Sequence, residues 1–297
     1  MIFGEIASDL VHESDHYDRP KMVVSVIVPT LNSGRVIEHC LRSITDQTYK
    51  QIEILVIDGG STDATVAIAH RFADRVIESD VRSGAYQMNL GALNAKGDLL
   101  LYVDSDEVLH PNLIEECVQK TVIGKFDGLF VFTIDTGTTY LGRSRCLGDI
   151  ISLGAGRDLR MSNATIRFCT KSVFKAAGKY DEDLVMGEDV IFALNCISRG
   201  FRIGRCKNPI LHFGTEGLGH IFAKKYQYGK TMKIYIKKAK SLGFSVRHKY
   251  LLTGLFYLRH LFKFKIYCAR YLFGFIIVKI VENIGLSLGY FSARLNF

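Results

Sequence analysis

An acidic cluster follows an apolar run near the middle of the chain. The run Leu99–Val103 leads directly into Asp104, Ser105, Asp106 and Glu107. Side chains two residues apart on an extended chain point the same way, so Asp104 and Asp106 can converge on one ion. Hard oxygen ligands at this spacing suit Mg²⁺ or Mn²⁺, which commonly bridge protein carboxylates to a phosphorylated substrate. The same residues also fit a solvated acidic turn that merely ends a strand, so the tripeptide alone leaves both interpretations open.

Two further apolar runs precede this cluster, and each also ends in a polar turn. Val23–Pro29 is followed by Thr30–Gly34, and Ile52–Ile57 is followed by Asp58–Asp63. Helical patterns separate the runs, and a third helix over about residues 85–95 precedes Leu99. The alternation of strands and helices predicts a doubly wound parallel sheet with right-handed crossovers. Since ligands bind beyond the carboxyl ends of such strands, the three turns predict one crevice that suits a nucleotide.

These ordered motifs resemble those of the family 2 glycosyltransferases with the GT-A fold. The resemblance covers about residues 22–215 and rests on the segments Val26–Asn32 and Glu53–Asp63 and on Asp104-Ser105-Asp106. It implies an α/β, Rossmann-like domain whose mainly parallel sheet is flanked by helices. It also implies inverting, non-processive transfer of a sugar. The Gln-x-x-Arg-Trp signature of the processive relatives is absent, and the chain has no Trp.

The resemblance also assigns roles to residues of this chain. It implies nucleotide contacts from Pro29, Thr30, Asn32, Asp58, Arg82, Asn89, Asp104 and Ser105. It implies that Mg²⁺ or Mn²⁺ is held by Asp106, Asp104 and His212. In the motif Gly187-Glu188-Asp189 it makes Asp189 the general base and Glu188 its support or an acceptor contact. Taken without the resemblance, Glu188 and Asp189 are acids that favour a helix N-terminus, and His212 on the strand-like Ile210–Phe213 is a core residue.

Three basic side chains are candidates for binding the diphosphate or the acceptor, namely Lys225, Lys230 and Arg160. A solvated basic surface explains the two lysines equally well. The seven cysteines form no C-x-x-C pair, which is typical of buried thiols in a reducing compartment.

The charge of the chain is unevenly distributed. Residues 205–297 hold 17 Lys and Arg against 2 Glu, whereas the first 204 residues hold 21 against 28 Asp and Glu. Basic residues alternate with bulky apolar ones in the tail, and Arg270 and Lys279 bracket an apolar run that is too short to cross a bilayer. This pattern predicts basic amphipathic helices on an anionic membrane surface. A helical subdomain packed on the catalytic domain is the alternative, and the high apolar content disfavours nucleic acid as a partner.

The domain division expected from these patterns has three parts. Residues 1–20 form an N-terminal extension without the apolar run of a signal peptide, residues 21–218 form the GT-A catalytic domain, and residues 219–297 form the basic helical region.

The expected activity is inverting transfer of a sugar from a nucleotide sugar, UDP-linked, to an acceptor hydroxyl. The acceptor is a saccharide or a lipid-linked or cell-surface glycan precursor, and the enzyme is cytoplasmic and peripheral on the inner face of the cell membrane. Within the same class, a polyprenyl-phosphate sugar synthase that uses a GDP or UDP sugar is the alternative. A non-catalytic nucleotide-sugar-binding scaffold and a nucleotidyltransferase are alternatives from other classes.

Overall fold

The computed structural model describes residues 22–137, 139–154, 165–213, 217–244 and 269–295. The expected N-terminal extension and part of the expected basic region, residues 245–268, lie outside the described residues. The strands are β1 (Val24–Thr30), β2 (Ile52–Asp58), β3 (Arg75–Glu78), β4 (Leu99–Tyr102), β5 (Glu107–Leu109), β6 (Gly128–Val131), β7 (Thr133–Asp135), β8 (Thr165–Thr170), β9 (Ile203–Arg205) and β10 (Ile210–His212). The helices are α1 (Ile37–Thr45), α2 (Thr65–Ala69), α3 (Gly84–Asn94), α4 (Leu113–Val122), α5 (Tyr140–Gly154), α6 (Lys171–Ala176), α7 (Glu188–Ser198), α8 (Leu218–Ser241) and α9 (Ala269–Leu295).

A seven-stranded sheet with the order β3-β2-β1-β4-β8-β6-β9 lies at the centre of the fold. Its first four strands are parallel, β8 runs antiparallel to β4 and to β6, and β9 is parallel to β6. The register aligns Thr30 of β1 with Asp58 of β2, so these two strands end at the same level. The prediction of a mainly parallel sheet flanked by helices is therefore confirmed.

The strands are apolar on both faces because helices cover both faces. On one face, Val26 and Val28 of β1 belong to the cluster that includes residues of α1 and α4. On the other face, Ile27 belongs to the cluster that includes Met88 of α3 and Phe192 of α7. Alternate side chains of one extended strand point to opposite faces, so each strand contributes to both layers of the core.

A second, three-stranded sheet has the order β5-β10-β7. In its register, His212 of β10 pairs with Glu107 of β5 on one side and with Asp135 of β7 on the other. The backbone N–H of Phe213 also donates to the carbonyl of Asp106, at 2.9 Å. This small sheet therefore brings a histidine that is far away in sequence to the acidic turn after β4.

The C-terminal helix α9 packs along α8 at very short distance. A Cβ added at Gly229 would lie 2.2 Å from the Leu286 carbonyl oxygen, and one added at Gly289 would lie 2.0 Å from the Tyr226 carbonyl oxygen. By length and composition alone, the stretch Tyr271–Ala293 could cross a membrane, and 28% of its most apolar part is buried against the protein. The helix is longer than the apolar run expected between Arg270 and Lys279, because it continues through Lys279 without interruption.

The close packing of α3 on β1 gives a test of the fold. A Cβ at Gly91 would lie 2.3 Å from Cγ2 of Ile27, whereas a Cβ at Gly84 of the same helix would meet nothing within 4 Å. We expect Gly91→Ala to lower the free energy of unfolding by about 1–3 kcal/mol, because the added methyl group overfills the core. Gly84→Ala is the control and should be neutral or slightly stabilising. Urea denaturation followed by circular dichroism measures both, and equal stabilities would contradict the packing.

Candidate active site

Two turns at the carboxyl ends of β1 and β2 are bonded to each other. The Gly59 N–H donates to the Thr30 carbonyl at 2.8 Å, and the Asn32 side chain accepts from the Thr62 N–H at 2.9 Å. The Asp58 carboxylate accepts from the N–H groups of Gly60 and Ser61, at 3.0 and 2.8 Å. The predicted nucleotide-binding residues Thr30, Asn32 and Asp58 therefore lie together, and the polar groups of Asn32 and Asp58 also fix the turns.

The hydroxyl of Thr30 differs from its neighbours. Its Oγ1 atom is buried and has no hydrogen-bond partner among the described residues. A buried hydroxyl without a partner costs free energy, so this atom suits a polar ligand group. Pro29 directly precedes it in β1.

The third turn contains the acidic cluster after β4. Asp104 is 51% exposed, whereas the Glu107 side chain is 1% exposed. Glu107 accepts from the Asp104 N–H at 2.8 Å and pairs with Arg167 of β8 at 2.9 Å. Arg167 also lies 3.4 Å from the Asp104 carboxylate. Burial raises the pKa of Glu107 to about 7, and the Arg167 charge opposes that rise. Arg167 is thus the counter-charge that keeps two carboxylates together.

Ser105 connects this turn to the first one, because its hydroxyl lies 2.8 Å from that of Ser33. The ends of β1, β2 and β4 therefore form one continuous polar surface, as the sequence predicts.

Asp106 faces His212 on the other side of the turn. The Asp106 carboxylate lies 3.2 Å from Nε2 of His212, and Nδ1 of His212 lies 2.5 Å from Asp135. Asp135 in turn pairs with Arg145 of α5 at 2.9 Å. Burial alone would lower the pKa of His212, but its bonds to Asp106 and Asp135 raise it to about 10. In this chain the imidazole therefore carries a proton between two carboxylates.

The donor set of this corner fits a divalent cation. Within the described residues no group of three or more His, Cys, Asp or Glu side chains is placed to hold a metal ion. Asp106 and Nε2 of His212 form an open pair, and the carboxylate on Nδ1 is the usual support for a metal-binding imidazole. Mg²⁺ is commonly held by one or two carboxylates together with substrate phosphates, so an open pair is suited to a cation that arrives with a diphosphate.

The motif Gly187-Glu188-Asp189 lies at the start of α7. Gly187 has φ +81°, and a Cβ there would lie 2.7 Å from the Tyr235 ring of α8, so glycine is required on both grounds. Glu188 and Asp189 form the first turn of the helix, and Asp189 accepts from the Val190 N–H at 2.7 Å. Burial raises the pKa of Glu188 to about 8, and the neighbouring Asp189 charge adds to the rise.

Tyr228 of α8 links the two acidic motifs. Burial raises the pKa of its phenol, and the charges of Glu188, Asp189, Asp104 and Asp106 raise it further. Carboxylates from both motifs therefore act on one phenol, which places the end of β4 and the start of α7 near the same side chain of α8. The positive charge of Lys224, one turn earlier on α8, acts on Asp106.

Other predicted site residues are engaged elsewhere. The Asn89 amide donates to the Tyr180 carbonyl and to Glu182 and accepts from the Tyr180 N–H, so it fixes the loop before α7. Lys225 pairs with Glu282 of α9 at 3.6 Å, and Lys230 lies over the Tyr226 ring at 5.0 Å, so the contacts of both lysines are with the C-terminal helices. Arg82 is exposed beside Gly60. Arg160 lies outside the described residues.

Sequence reasoning missed five residues of this site, namely Glu107, Asp135, Arg167, Lys224 and Tyr228. Glu107 could have been found, since it is part of the acidic run after β4. The other four stand on β7, β8 and α8 without a local motif, and only the fold brings them to the crevice.

Comparisons with known proteins agree with this geometry. The family described as Glycosyl transferase family 2 matches residues 25–180. The glycosyltransferase GlyG of Streptococcus pneumoniae is 33% identical over 153 residues, which cover 45% of this chain and half of GlyG. The glycosyltransferase AglE of Haloferax volcanii is 26% identical over 218 residues, which cover 70% of this chain and 72% of AglE.

Two solved structures share the fold. S. aureus TarS 1–349 in complex with UDP-GlcNAc superposes with a TM-score of 0.57 at 17% identity and covers 93% of this chain and 92% of its own. The mannosyltransferase PcManGT from Pyrobaculum calidifontis, in complex with GDP-Man and Mn²⁺, has a TM-score of 0.58 at 15% identity, with coverages of 92% and 86%. These likenesses show the GT-A fold. The family match spans more than half of the sequence, and this chain therefore belongs to glycosyl transferase family 2.

Proposed function

We propose that this protein is an inverting glycosyltransferase that moves a sugar from a UDP-linked donor to an acceptor hydroxyl. The observation that carries the proposal is that the charges of both acidic motifs, Asp104 with Asp106 and Glu188 with Asp189, act on the phenol of Tyr228. A donor bound along the ends of β1, β2 and β4 would have its reacting sugar between these two motifs.

The donor's nucleoside would lie against the turns after β1 and β2. The buried Thr30 hydroxyl, which has no partner among the described residues, can bond to it, as can the Asp58 carboxylate and the NH₂ group of Asn32. Asp104, oriented by its N–H bond to Glu107 and by Arg167, faces solvent at the next strand end and suits a ribose hydroxyl. Pro29 and Ser105 shape the same wall, and Arg82 is an exposed cation at its edge.

Asp106 and His212 would hold Mg²⁺ or Mn²⁺, with Asp104 nearby. The cation supplies charge neutralisation to the departing diphosphate. His212 must lose its proton to become a ligand, and Asp135 then accepts the hydrogen bond from Nδ1 and fixes the orientation of the ring. Lys224, whose charge acts on Asp106, adds positive charge at the same corner.

Asp189 would take the proton of the acceptor hydroxyl during direct displacement at the anomeric carbon. Glu188 supports this role, because its pKa of about 8 leaves it largely neutral at pH 7. A neutral Glu188 removes a like charge beside Asp189 and can donate a hydrogen bond to the acceptor.

The acceptor that we propose is a lipid-linked or cell-surface glycan precursor, reached from the cytoplasmic face of a membrane. Helix α8 supports a membrane setting, since it contains seven lysines and no acidic residue. A polyprenyl phosphate as the acceptor is a variant of the same reaction. Residues 21–218 would form the catalytic domain, with the remainder as the membrane-facing part.

A donor screen tests the activity as a whole. UDP and GDP sugars are offered to the full chain with Mn²⁺ and a lipid extract, and release of the nucleoside diphosphate is measured. The two related folds bind UDP-GlcNAc and GDP-Man, so both bases belong in the screen. Release of pyrophosphate would instead favour a nucleotidyltransferase, and no release with binding intact would favour a scaffold.

The base assignment predicts a separation of binding from chemistry. We expect Asp189→Asn to bind UDP and Mn²⁺ as the wild type does but to lose about 10²–10⁴-fold in transfer rate, because the amide cannot accept the proton. Binding is measured by calorimetry and transfer by nucleotide release. Asp98→Asn, an exposed residue before the opposite end of β4, is the matched control and should leave both unchanged. Full transfer by Asp189→Asn would rule out this base.

The cation site predicts a metal-dependent defect. We expect His212→Gln to weaken Mn²⁺-dependent UDP binding at least about tenfold while UDP binding without metal stays nearly constant. His220→Gln, at an exposed histidine of α8, is the control. Calorimetric titrations of UDP with and without Mn²⁺ separate the metal-dependent binding from the metal-independent binding. If the two variants respond alike to Mn²⁺, His212 holds no cation.

The raised pKa of Glu188 predicts a pH dependence of stability. A carboxyl whose pKa rises on folding from 4.5 to about 8 stabilises the fold below its ordinary pKa and loses that contribution as the pH rises through 8. Between pH 5 and 9 we therefore expect the unfolding free energy of Glu188→Gln to fall less than that of the wild type, by on the order of 1–3 kcal/mol. The exposed Glu78→Gln variant should follow the wild type. Urea titrations of the metal-free proteins at several pH values measure these slopes, and identical slopes for all three would contradict the shift.

A further inference from the structure

Among the described side chains of helix α9, the charged residues Lys279 and Glu282 contact each other and lie near α8. Lys279 and Glu282 bond to each other at 2.8 Å, and Glu282 also lies 3.6 Å from Lys225 of α8. Glycines of α9 also face the protein. A Cβ added at Gly274 would clash with the Ser144 side chain of α5, and one added at Gly285 would clash with the Phe222 carbonyl of α8. The packed side of α9 therefore combines glycines and this ion pair with the buried apolar side chains Phe275 and Val278.

The opposite face of α9 is apolar and exposed. Its large exposed side chains, 46–69% accessible, are Phe273, Ile276, Ile280, Ile284, Leu288 and Phe291. They recur every three or four residues and so form one continuous stripe, which we call the α9 stripe. At 1.5 Å per residue it is about 27 Å long. Asn283 and Ser287 are the exposed polar residues among the described side chains of this helix, and neither carries a charge.

Basic residues accompany the stripe. α8 carries seven lysines and no acid, and four exposed ones recur every three or four residues along one side of the helix, namely Lys230, Lys233, Lys237 and Lys240. The two helices run side by side, since Gly285 lies against Phe222 and Tyr226 bonds to Ser292 at 2.9 Å. An apolar stripe on a helix that packs beside a row of exposed lysines complements a surface that is anionic outside and hydrocarbon inside.

We propose that the α9 stripe inserts into one leaflet of an anionic lipid bilayer, with α9 lying in the membrane plane. This inference rests on the part of the proposed function that places the enzyme at a membrane, and it names the residues that enter the hydrocarbon. A transmembrane orientation of α9 would take the adjoining lysines of α8 into the bilayer core, where each charge is costly. The in-plane orientation leaves those lysines at the headgroups.

Vesicle flotation tests the stripe. Full-length protein is mixed with vesicles of phosphatidylcholine and phosphatidylglycerol, and the bound fraction is measured after centrifugation. We expect the wild type to float and Ile280→Ser/Ile284→Ser to lose at least about tenfold in partitioning, because two anchors lose their apolar surface. Leu93→Ser/Ile123→Ser is the matched control, since these side chains are 72% and 53% exposed on other helices. The control should float like the wild type.

UDP binding, measured on the same samples, separates this proposal from the activity. Intact UDP binding with no flotation of the wild type would overturn the membrane proposal and leave the proposed reaction standing. Equal flotation of all three proteins would overturn the role of the stripe. If the wild type is instead a dimer that does not float and the Ile280→Ser/Ile284→Ser variant is a monomer, a second copy covers the stripe and the proposal fails.

The orientation of α9 in the membrane can be measured separately by Trp fluorescence. Because the chain has no Trp, the fluorescence of a single introduced Trp is free of background from other Trp residues. Phe273→Trp, Ile284→Trp and Phe291→Trp place a probe at either end and near the middle of the stripe. For an in-plane helix we expect all three to be quenched alike by lipids brominated near the headgroup. Deep quenching of Ile284→Trp with shallow quenching of the two ends would indicate a spanning helix and overturn the orientation. Leu93→Trp should be unquenched.

Discussion

Repulsion among gathered carboxylates is the constraint on which this site depends. Three separate elements bring Asp104, Asp106, Glu107, Glu188 and Asp189 to one crevice, and like charges at such distances destabilise the folded state. Three features of the described residues reduce this repulsion. Arg167 lies between Glu107 and Asp104, a protonated His212 lies between Asp106 and Asp135, and burial keeps a proton on Glu188. The repulsion between the carboxylates is thus balanced by basic side chains and by protonation of groups within the protein.

That arrangement explains why the site is ready for a metal and a donor. In the proposed reaction Asp106 and His212 would hold a divalent cation, which would supply positive charge to the diphosphate in place of the His212 proton. Arg167 already neutralises Asp104 and Glu107, so the acidic turn keeps its shape before the donor arrives. The raised pKa of Glu188 favours its neutral form, which removes a like charge beside Asp189, the base that we propose.

Sequence reasoning succeeded where a residue's role follows from its neighbours in the chain. The strand ends at Thr30, Asp58 and Asp104 are local patterns, and parallel topology then brings them to one edge. Arg167 carries no local signal, since its role comes from β8 inserting antiparallel beside β4. The bonds of Asn89 to Tyr180 likewise have no local signal, and its expected contact with the nucleotide stays a prediction. Helix α9 was expected to be basic and amphipathic, but composition cannot show that its charged pair is turned toward the protein.

The position of α9 and the cation corner are mechanically connected through α5. His212 is oriented by Asp135, Asp135 is held by Arg145, and Arg145 stands on α5. The same helix packs against α9, where Gly274 approaches Ser144 and its N–H donates to the Tyr140 hydroxyl at 3.1 Å. Because α5 and α9 are closely packed, a membrane that held α9 as we propose would also restrain the helix that aligns the histidine. The bilayer and the donor's diphosphate would then be held in a constant relation, as transfer to an acceptor anchored in that bilayer requires.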